Sequence, residues 1–479
     1  MNWQYDLAIV GGGLRFLSLL TAFADLLVAE CKSSEDENDP VCRVIVFDPS
    51  HPAPGAVWND QGDREFRCNA LNPETVLPSP GGCSFRVTSA YELWDNQAET
   101  SSYYPPRGSI GTVIRQQRDA LIDLLSPRIS IQLVVARVEE VRPAGNIWRV
   151  KTEFHDYYCR GIIDLTGSGF TGYTVNYGAD YPLPLDSIPS SVSVVIGGMG
   201  LGAIDVVAAL TRGRGGIFSD HGEKLVYMPS GNEPNMVLMS RTNRLRQPAE
   251  PRTACPSPRR LPSESTAAFW AAASPEEALR VFTSITGIPD FAQDHLSGIE
   301  SPESQIAAFE EESVAVRMEI RSRVEYAVEL LARERPMMDH IHQEVLSRVA
   351  SEFTSGPPLE RYREWGALAR SGILRFSRGT WGRSSDFVPW RVRAFVGNPG
   401  LPFTCPIGVK GSDQKIPVDP QTKRANGFKK WWVAGHASSH PLRGDLPTTA
   451  NVVEWQNAIQ PLAEEVISEI GMVSSSVRM

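Results

Sequence analysis

Short runs of β-branched and aliphatic residues alternate with a longer apolar segment over the first fifty positions of the chain. Tyr5–Val10 and Arg43–Phe47 are typical of short, fully buried strands. Between them, Leu14–Glu30 has the length and the apolar content of a buried helix. Gly11-Gly-Gly13 separates the first strand from the helix, and Asp48 follows the second strand. This order predicts a parallel βαβ unit with a glycine turn.

The glycine turn and the acid at the end of the second strand predict a dinucleotide site. Gly11 permits a tight turn, and Gly13 leaves room for a pyrophosphate at the positive end of the helix. Asp48 is placed to accept hydrogen bonds from both hydroxyls of an adenosine ribose. Two departures stand out: Phe16 replaces the third glycine, and Asp48 comes 35 residues after Gly13. The polar stretch 31–40 accounts for the longer spacing as a surface insertion.

A second glycine turn occurs about 185 residues later. Ser193–Ile196 is an apolar strand pattern, and the residues Gly198, Gly200 and Ala203 that follow it fit G-x-G-x-x-A before a helical run. Another strand pattern, Met236–Met239, leads to Arg241, with Arg244 and Arg246 nearby. An arginine where NAD-binding proteins have an acid suits the 2′-phosphate of NADPH. The alternative is that Arg241 is a solvated loop residue.

Further motifs carry a resemblance to a known family. The chain resembles the two-Rossmann FAD/NAD(P)-binding oxidoreductases, a broad group that includes flavin-containing and N-hydroxylating monooxygenases, and more nearly the bacterial FAD/NAD(P)-binding proteins. The matching segments are Ile9–Gly13, Gly55–Trp58, Asp164–Gly167, Gly198–Asp205, Tyr227–Gly231 with Ser240-Arg241, and Val433–His436. The Baeyer–Villiger fingerprint F-x-G-x-x-x-H is absent, which disfavours ketone oxygenation.

The resemblance implies which residues bind each cofactor. The residues expected to bind FAD are Gly11, Gly12, Gly13, Asp48, Trp58, Thr166, Gly167, Gly435 and His436, with Trp58 near the flavin and Gly435 at the ribityl chain. His436 stands where the family usually has an aspartate, which puts that contact in doubt. The residues expected to bind NADPH are Gly198, Gly200, Ala203 and Arg241. No catalytic side chain is predicted, because a flavin would carry the chemistry.

Length, charge and cysteine content narrow the class of protein. The 479 residues indicate two or three domains, and 42% hydrophobic with 22% charged residues is ordinary for a globular protein. A net charge of −9 disfavours a dedicated nucleic-acid binder. The seven cysteines include no C-x-x-C pair, which fits a reducing cytoplasm and gives no zinc motif. The longest apolar stretch is short and interrupted by polar residues, so no membrane span is predicted.

Two local motifs imitate other functions. Arg212-Gly-Arg-Gly-Gly216 resembles an RNA-binding Gly/Arg segment but is interpreted as a helix end whose arginines are solvated or near a phosphate. Asp339-His340-Ile-His342 resembles a metal cluster, but positions two apart on a helix face different ways, so we expect a solvated helix and no metal.

The domain prediction is a doubly nucleotide-binding α/β protein with a helical insertion. Residues 1–185 and 395–479 are expected to form a discontinuous FAD domain, and residues 186–262 and 366–394 an NAD(P) domain. Residues 263–365 have a charged helical pattern. They are expected to cover the substrate or to make a contact within a homo-oligomer.

The sequence therefore predicts a flavin-dependent oxidoreductase, with an NADPH-dependent monooxygenase as the main hypothesis. Its expected partners are a small organic substrate, such as an amine or a specialised metabolite, and molecular oxygen. One alternative is an FAD-dependent dehydrogenase or oxidase that inserts no oxygen. Another is a non-catalytic FAD-binding sensor or partner subunit, which the departures at Phe16 and His436 leave open.

Overall fold

The structure is a computed structural model in which most of the chain is described. The chain forms two compact units: the first comprises residues 1–172, 179–183 and 396–479, and the second comprises residues 173–178 and 184–395. The described residues are 3–31, 42–50, 54–55, 57–58, 65–68, 104–167, 173–175, 185–222, 224–249, 263–287, 301–334, 340–354, 356–380, 390–394, 405, 415–435, 438 and 449–472.

The first unit is built on a seven-stranded sheet in the order β3-β2-β1-β6-β5-β4. Its parallel part comprises β1, β2, β3 and the second half of β6, while β4 and β5 form an antiparallel meander against the first half of β6. The seventh strand, β14, pairs in parallel with the carboxyl end of β6. The strands are β1 (Tyr5–Val10), β2 (Cys42–Asp48), β3 (Ile129–Val135), β4 (Val138–Ala144), β5 (Ile147–Thr152), β6 (Asp156–Asp164) and β14 (Trp431–Val433).

Alternate residues of the central strands enter two separate cores because successive side chains of a strand point to opposite faces. On one face, Leu7 and Ile9 of β1 pack with three helices, which are α1 (Leu14–Cys31), α2 (Arg107–Leu125) and α10 (Thr449–Ile470). On the other face, Ala8 and Val10 join a core that the meander strands contribute to. Both faces of β1 are therefore covered, which is why its sequence is a continuous apolar run.

Phe16, the departure from the third glycine, lies wholly inside the first of these cores. Its side chain has no exposed surface and belongs to the same cluster as Leu17 and Leu20 of α1. The ring is thus accommodated by the packing of α1, and the βαβ unit forms in spite of it.

The second unit is built on a five-stranded sheet in the order β12-β11-β8-β13-β7. Its strands β8, β11, β12 and β13 are parallel, and β7 is an antiparallel edge strand. A separate hairpin of β9 and β10 belongs to the same unit. The strands are β7 (Tyr173–Val175), β8 (Ser193–Gly197), β9 (Ile217–Asp220), β10 (Leu225–Met228), β11 (Asn235–Ser240), β12 (Leu374–Arg378) and β13 (Trp390–Ala394). The predicted α/β class is confirmed.

The segment between β11 and β12 is helical, in agreement with its charged, apolar-periodic sequence. Four of its helices share a core that includes Phe269, Phe282 and Phe353, all of them buried. The helices of the second unit are α3 (Leu201–Thr211), α4 (Ser263–Trp270), α5 (Pro275–Thr286), α6 (Pro302–Glu311), α7 (Val314–Glu334), α8 (His340–Thr354) and α9 (Leu359–Arg370). Among the helices that the structure describes, none combines the length and the apolar character needed to cross a membrane.

We expect Phe16→Ala to destabilise the first unit by about 3–5 kcal/mol, because it removes a fully buried ring and leaves a cavity. Phe154→Ala is the matched control, since Phe154 is 66% exposed, and it is expected to change the free energy of unfolding by no more than about 0.5 kcal/mol. Urea denaturation of both variants measures the difference. Equal, small effects would mean that the ring at position 16 contributes little to the core.

Candidate functional site

The first glycine turn begins where the backbone of β1 passes close to the chain that follows β6. Gly11 has a φ of +100°, and a Cβ atom there would lie 2.9 Å from the carbonyl carbon of Leu165 and from the backbone nitrogen of Thr166. A side chain at position 11 is thus excluded both by the conformation and by the neighbouring backbone. The Gly11 N–H donates to the Phe47 carbonyl of β2 at 2.9 Å. The fold itself requires this glycine.

Gly13, two residues later, is different because no atom of the described residues requires the absence of a side chain. Among these residues, a Cβ atom at Gly13 would meet nothing within 4 Å, and the same is true of Gly167 after β6. Gly55 approaches Gly13 from another direction, with its own ideal Cβ position 3.0 Å from the Gly13 Cα. Open space therefore lies beside Gly13 at the N-terminus of α1, where backbone N–H groups favour an anion.

Asp48 lies at the carboxyl end of β2 and is bonded to the first glycine turn. Its Oδ2 accepts a hydrogen bond from the Gly12 N–H at 2.9 Å, and its Oδ1 accepts one from the Ser50 N–H at 2.9 Å. The side chain is 8% exposed. These bonds fix the position of the carboxylate at the glycine turn. Its predicted contact with the ribose hydroxyls stays a prediction.

Thr166 and Gly435 meet at the carboxyl ends of β6 and β14. A Cβ atom at Gly435 would lie 2.4 Å from the Thr166 carbonyl oxygen, so the glycine is needed for the two chains to pass. The Ala434 and Gly435 N–H groups both donate to the Asp164 carbonyl, at 2.9 and 3.0 Å. Gly435 is thus explained by a backbone crossing, and its predicted contact with a ribityl chain stays a prediction.

Asp164, whose side chain was not among the predicted site residues, is a fully buried carboxyl group at this crossing. Its Oδ1 accepts a hydrogen bond from the Thr166 N–H at 2.9 Å. Among the described residues, neither its Oδ2 nor the Thr166 hydroxyl has a hydrogen-bond partner. Burial raises the pKa of Asp164 to about 6, against the opposing effects of the Thr166 hydrogen bond and of Arg15. The signal in the sequence was an acid at the end of an apolar strand.

The second glycine turn has the same backbone arrangement as the first. Gly198 has a φ of +107°, and its N–H donates to the Met239 carbonyl of β11 at 2.8 Å. Gly200, the N-cap of α3, has a φ of −96°, and an ideal Cβ there meets no atom closer than 3.7 Å. Ala203 is fully buried where α3 begins. Again the backbone requires the first glycine, whereas the second leaves space at a helix N-terminus.

Three arginines follow β11, and the structure gives them different surroundings. Arg241 is exposed, and its carbonyl accepts a hydrogen bond from Arg378 Nε at 3.1 Å. Arg244 forms an ion pair with Glu352 of α8. Arg246 is half-buried, with its guanidinium beside Gly200. The predicted site residue Arg241 is therefore accessible, but it is not the arginine beside Gly200.

Of two other residues predicted to bind FAD, the structure describes Trp58 but not His436. Trp58 is 4% exposed and belongs to the core on the α1 side of the sheet, where its carbonyl lies against Gly111 of α2. A place near the flavin stays a prediction for it. His436 lies outside the described residues.

The arginines of the Gly/Arg motif are half-buried and bind the protein itself, so they are not fully solvated, and a phosphate near them stays a prediction. Arg212 pairs with Glu364 of α9 and lies over the ring of Phe218 at 4.9 Å. Arg214 donates to the carbonyls of Leu185 and Ile188 at 2.8 and 2.7 Å. The interpretation as a helix end is consistent with Gly215 at φ +92°. The motif is a structural connection.

The prediction that the histidine motif lies on a solvated helix was wrong for one of its histidines. His342 is 2% exposed rather than solvated, and its Nε2 lies 2.9 Å from the Phe269 carbonyl oxygen. Its ring packs against those of Phe269 and Trp270. The tertiary packing of α8 on α4 buries this side, which the spacing of two residues could not reveal. Asp339 lies outside the described residues. Within the part of the chain described, no three acidic, histidine or cysteine side chains cluster as metal ligands would.

The described residues fit dinucleotide cofactors at both turns. At the first turn, Gly13 and Gly167 leave space that a Cβ atom would fill, and the buried Asp164 Oδ2 and Thr166 hydroxyl lack partners among the described residues. FAD carries hydroxyl donors and phosphate acceptors of the kind that such atoms bind. At the second turn, the space beside Gly200 lies between a helix N-terminus and a guanidinium, which suits a phosphate.

A family model matches the part of the chain that contains the first glycine turn. The FAD-NAD(P)-binding family model matches residues 8–157. This range begins within β1 and contains the glycine turn and β2, so the predicted resemblance to FAD/NAD(P)-binding proteins is confirmed. The FAD-NAD(P)-binding range covers the turn beside Gly13 and the acid at position 48.

Two curated relatives match parts of the chain. A nitrosuccinic acid synthase of Aspergillus oryzae is 28% identical over 264 residues, covering 49% of this chain and 39% of that protein. An L-aspartate N-monooxygenase (nitrosuccinate-forming) of Streptomyces davaonensis is 44% identical over 57 residues, covering 12% of this chain and 9% of that protein. The chain thus spans well under two thirds of both relatives. An open crystal structure of cyclohexanone monooxygenase is 11% identical, covers 97% of this chain and 88% of its own, and gives a TM-score of 0.43.

We expect Gly13→Val to fold but to purify without flavin, because the added side chain meets no atom of the described residues within 4 Å of its Cβ and occupies the space beside α1. Gly200→Val is the reciprocal control, since it should keep flavin and lose affinity for the nicotinamide coenzyme. Absorbance of the purified proteins and titration with NADP⁺ measure the two. Full flavin in Gly13→Val would remove that turn from the FAD site.

Asp164 predicts a pH-dependent stability. Because its pKa is about 6 in the folded protein and about 3.9 unfolded, the folded state binds this proton more tightly. That contribution to stability is present below about pH 4 and is lost as the pH rises through about 6. Asp164→Asn keeps an oxygen for the Thr166 N–H and cannot ionise. The parent should therefore lose about 3 kcal/mol relative to the variant between about pH 4 and 7. Urea denaturation across this range measures it, and parallel curves would show that the carboxyl group does not titrate there.

Proposed function

We propose that this protein is an NADPH-dependent FAD monooxygenase that oxygenates the amino group of a small molecule. The observation that carries the proposal is the pair of glycine turns, each at the N-terminus of a helix after a parallel strand. In each turn, the second glycine leaves a space into which no atom of the described residues projects closely enough to exclude a side chain. Two such spaces in one chain support one flavin nucleotide and one nicotinamide nucleotide.

The residues around each turn indicate which nucleotide it would bind. The first turn has an acid, Asp48, at the end of the adjacent strand, which suits the free ribose hydroxyls of FAD. The second is followed by arginines after β11, beginning with Arg241, which suits the 2′-phosphate of NADPH. When bound, FAD would supply the two-electron and oxygen chemistry, and the chain would bind and orient the nucleotides and exclude water.

The names of the relatives support an amine as the substrate. Both are named for nitrosuccinate formation, and one is named as an L-aspartate N-monooxygenase. We therefore propose L-aspartate as the first substrate to test. In the proposed reaction, an N–H bond of the amine is replaced by an N–OH bond. The second oxygen atom of O₂ leaves as water, and NADPH supplies two electrons.

The alternatives make different products. A dehydrogenase or oxidase would form no N–O bond, and an oxidase would return the electrons of NADPH to oxygen as hydrogen peroxide. A sensor or partner subunit would bind the nucleotides without turnover. We place the protein in the cytoplasm as part of the same proposal, since NADPH is a cytoplasmic reductant, and we leave nucleic acid out of its partners.

The experiment uses the FAD-loaded protein with NADPH, ¹⁸O₂ and L-aspartate. We expect NADPH oxidation to depend on the amine and the product to carry ¹⁸O on nitrogen by mass spectrometry. Succinate is the matched control, because it has both carboxylates of aspartate and no amine. Peroxide equal to the NADPH consumed, with no labelled product from any amine, would favour the oxidase. A product from another amine but none from L-aspartate would reject only the substrate.

We expect Arg241→Ala to reduce the preference for NADPH over NADH. Loss of a charge-assisted hydrogen bond to a phosphate is worth about 1.5–3 kcal/mol, or about ten- to a hundredfold. Steady-state kinetics with both coenzymes give the ratio. Arg375→Ala, an exposed arginine at the amino end of β12, is the control. An unchanged ratio would return Arg241 to the class of solvated loop residues.

A further inference from the structure

The carboxyl ends of β1 and β6 lie side by side where the strand order of the first sheet reverses. From β1 the chain moves outward to β2 and β3, whereas β6 lies on the other side of β1. In open α/β sheets, ligands bind in the crevice outside the carboxyl ends of the strands at such a reversal. Asp164, the last residue of β6, pairs in register with Val10, the last residue of β1. Its carboxyl group therefore belongs to the edge of the sheet where a ligand is expected.

Asp164 is a fully buried acid with little compensation for a negative charge. Its Oδ1 accepts one hydrogen bond, from the Thr166 N–H at 2.9 Å. Its Oδ2 has no hydrogen-bond partner, and no cation of the described residues forms an ion pair with it. A buried carboxylate is stable when it has an ion pair or two to three donors. The neutral acid needs only one acceptor for its O–H group, so it suits these surroundings better.

The groups that face Asp164 from the neighbouring elements are mostly apolar. The strands β1 and β14 place Val10 and Val433 beside it in register. Among the described ionisable residues, Arg15 of α1 is the one whose charge favours the carboxylate, and Lys415 in turn repels Arg15. Burial outweighs Arg15 and raises the pKa of Asp164 to about 6.

A flavin nucleotide at the first turn would change this balance in one direction. Its pyrophosphate carries two negative charges, which would repel a carboxylate at position 164 and offset the positive charge of Arg15. It would also exclude water from the edge of the sheet, which strengthens both electrostatic effects. Each change favours the neutral acid. As an acid, Oδ2 becomes an O–H donor, and FAD offers phosphate and hydroxyl oxygens as acceptors.

We propose that Asp164 binds FAD as the neutral acid, so that each FAD that enters the first site takes up one proton from the solvent. The carboxylate of the FAD-free protein gains H⁺ at Oδ2, and the resulting O–H group donates a hydrogen bond to an oxygen of the nucleotide. No other bond is made or broken.

The inference rests on the proposed FAD site at the first turn and makes the loading of that site depend on pH. In the FAD-free protein, Asp164 already carries its proton below about pH 6. The affinity for FAD is therefore highest in acid and falls as the pH rises, because the proton must then be taken from a more dilute supply.

Calorimetric titration of the flavin-free, full-length protein with FAD counts the protons when it is repeated in buffers of different ionisation enthalpy. We expect about 0.5–1 proton taken up per FAD at pH 7, and about 0.1 or fewer at pH 5, where Asp164 is already protonated. Between pH 5.5 and 8, the affinity for FAD should fall about ten- to a hundredfold.

Asp164→Asn is the informative variant, because its amide keeps an oxygen for the Thr166 N–H and a donor in place of the Oδ2–H but cannot ionise. It should bind FAD without proton uptake, and its affinity should stay near that of the parent at pH 5.5 across the whole range. Asp119→Asn is the matched control, since Asp119 is an exposed aspartate of α2, and it should behave like the parent.

A second measurement needs no variant. The infrared difference spectrum between FAD-loaded and FAD-free parent at pH 7.5 should show the carbonyl band of one protonated carboxyl group in the loaded protein. A difference spectrum without this band contradicts the proposal even if Asp164→Asn does not fold.

Three calorimetric results would overturn the proposal. Proton release, with an affinity that rises with pH, would mean that Asp164 binds FAD as the carboxylate. Equal uptake by Asp164→Asn would assign the proton to another group, and no exchange at pH 7 would mean that FAD leaves Asp164 unaffected. Failure of the proposed function is distinguishable. A parent that takes up the proton with FAD but oxygenates no amine leaves the role of Asp164 intact, whereas a parent that binds no FAD removes the first site and this role with it.

Discussion

The backbone of Leu165 and Thr166 passes between two glycines, and the first nucleotide site depends on that crossing. Gly11 approaches it from β1 and Gly435 from β14, each so closely that a methyl group would collide with backbone atoms. The crossing aligns the carboxyl ends of three parallel strands at one edge of the sheet. It also encloses the Asp164 carboxyl group away from water. The space at Gly13 and the bonds of Asp48 form on the framework that results.

The glycines of the two turns are present for two different physical reasons, and the sequence motif alone does not distinguish them. At Gly11 and Gly198 the backbone has a positive φ, so the fold requires the residue. At Gly13 and Gly200 no atom of the described residues comes close enough to require it. A glycine that the protein does not need is therefore the more informative one about binding.

The sequence predicted those parts of the structure that depend on a local residue pattern, but not those that depend on contacts between distant residues. The pattern Tyr5–Val10 predicted β1 with the bounds that the structure has, and the second strand does end at Asp48. The meander of β4 and β5 had no such motif and was not predicted. Asp164 and Arg246 are contacted by residues that are distant in the sequence. Gly435 bonds the backbone of Asp164, and Tyr362 bonds the backbone of Arg246. The position of Arg246 beside Gly200 was not visible in the sequence, and the predicted role of Arg241 stays a prediction.

The pairing of β14 with β6 has a consequence for how the protein is made. About 270 residues separate the two strands, and the whole second unit is synthesised between them. During translation the first unit therefore waits with the carboxyl end of β6 uncovered on one side, while the second unit can complete its own fold. The crossing of Gly435 with Thr166 can form only after residue 435 has left the ribosome. A nascent chain stalled before that point would leave the apolar carboxyl end of β6 without β14 beside it.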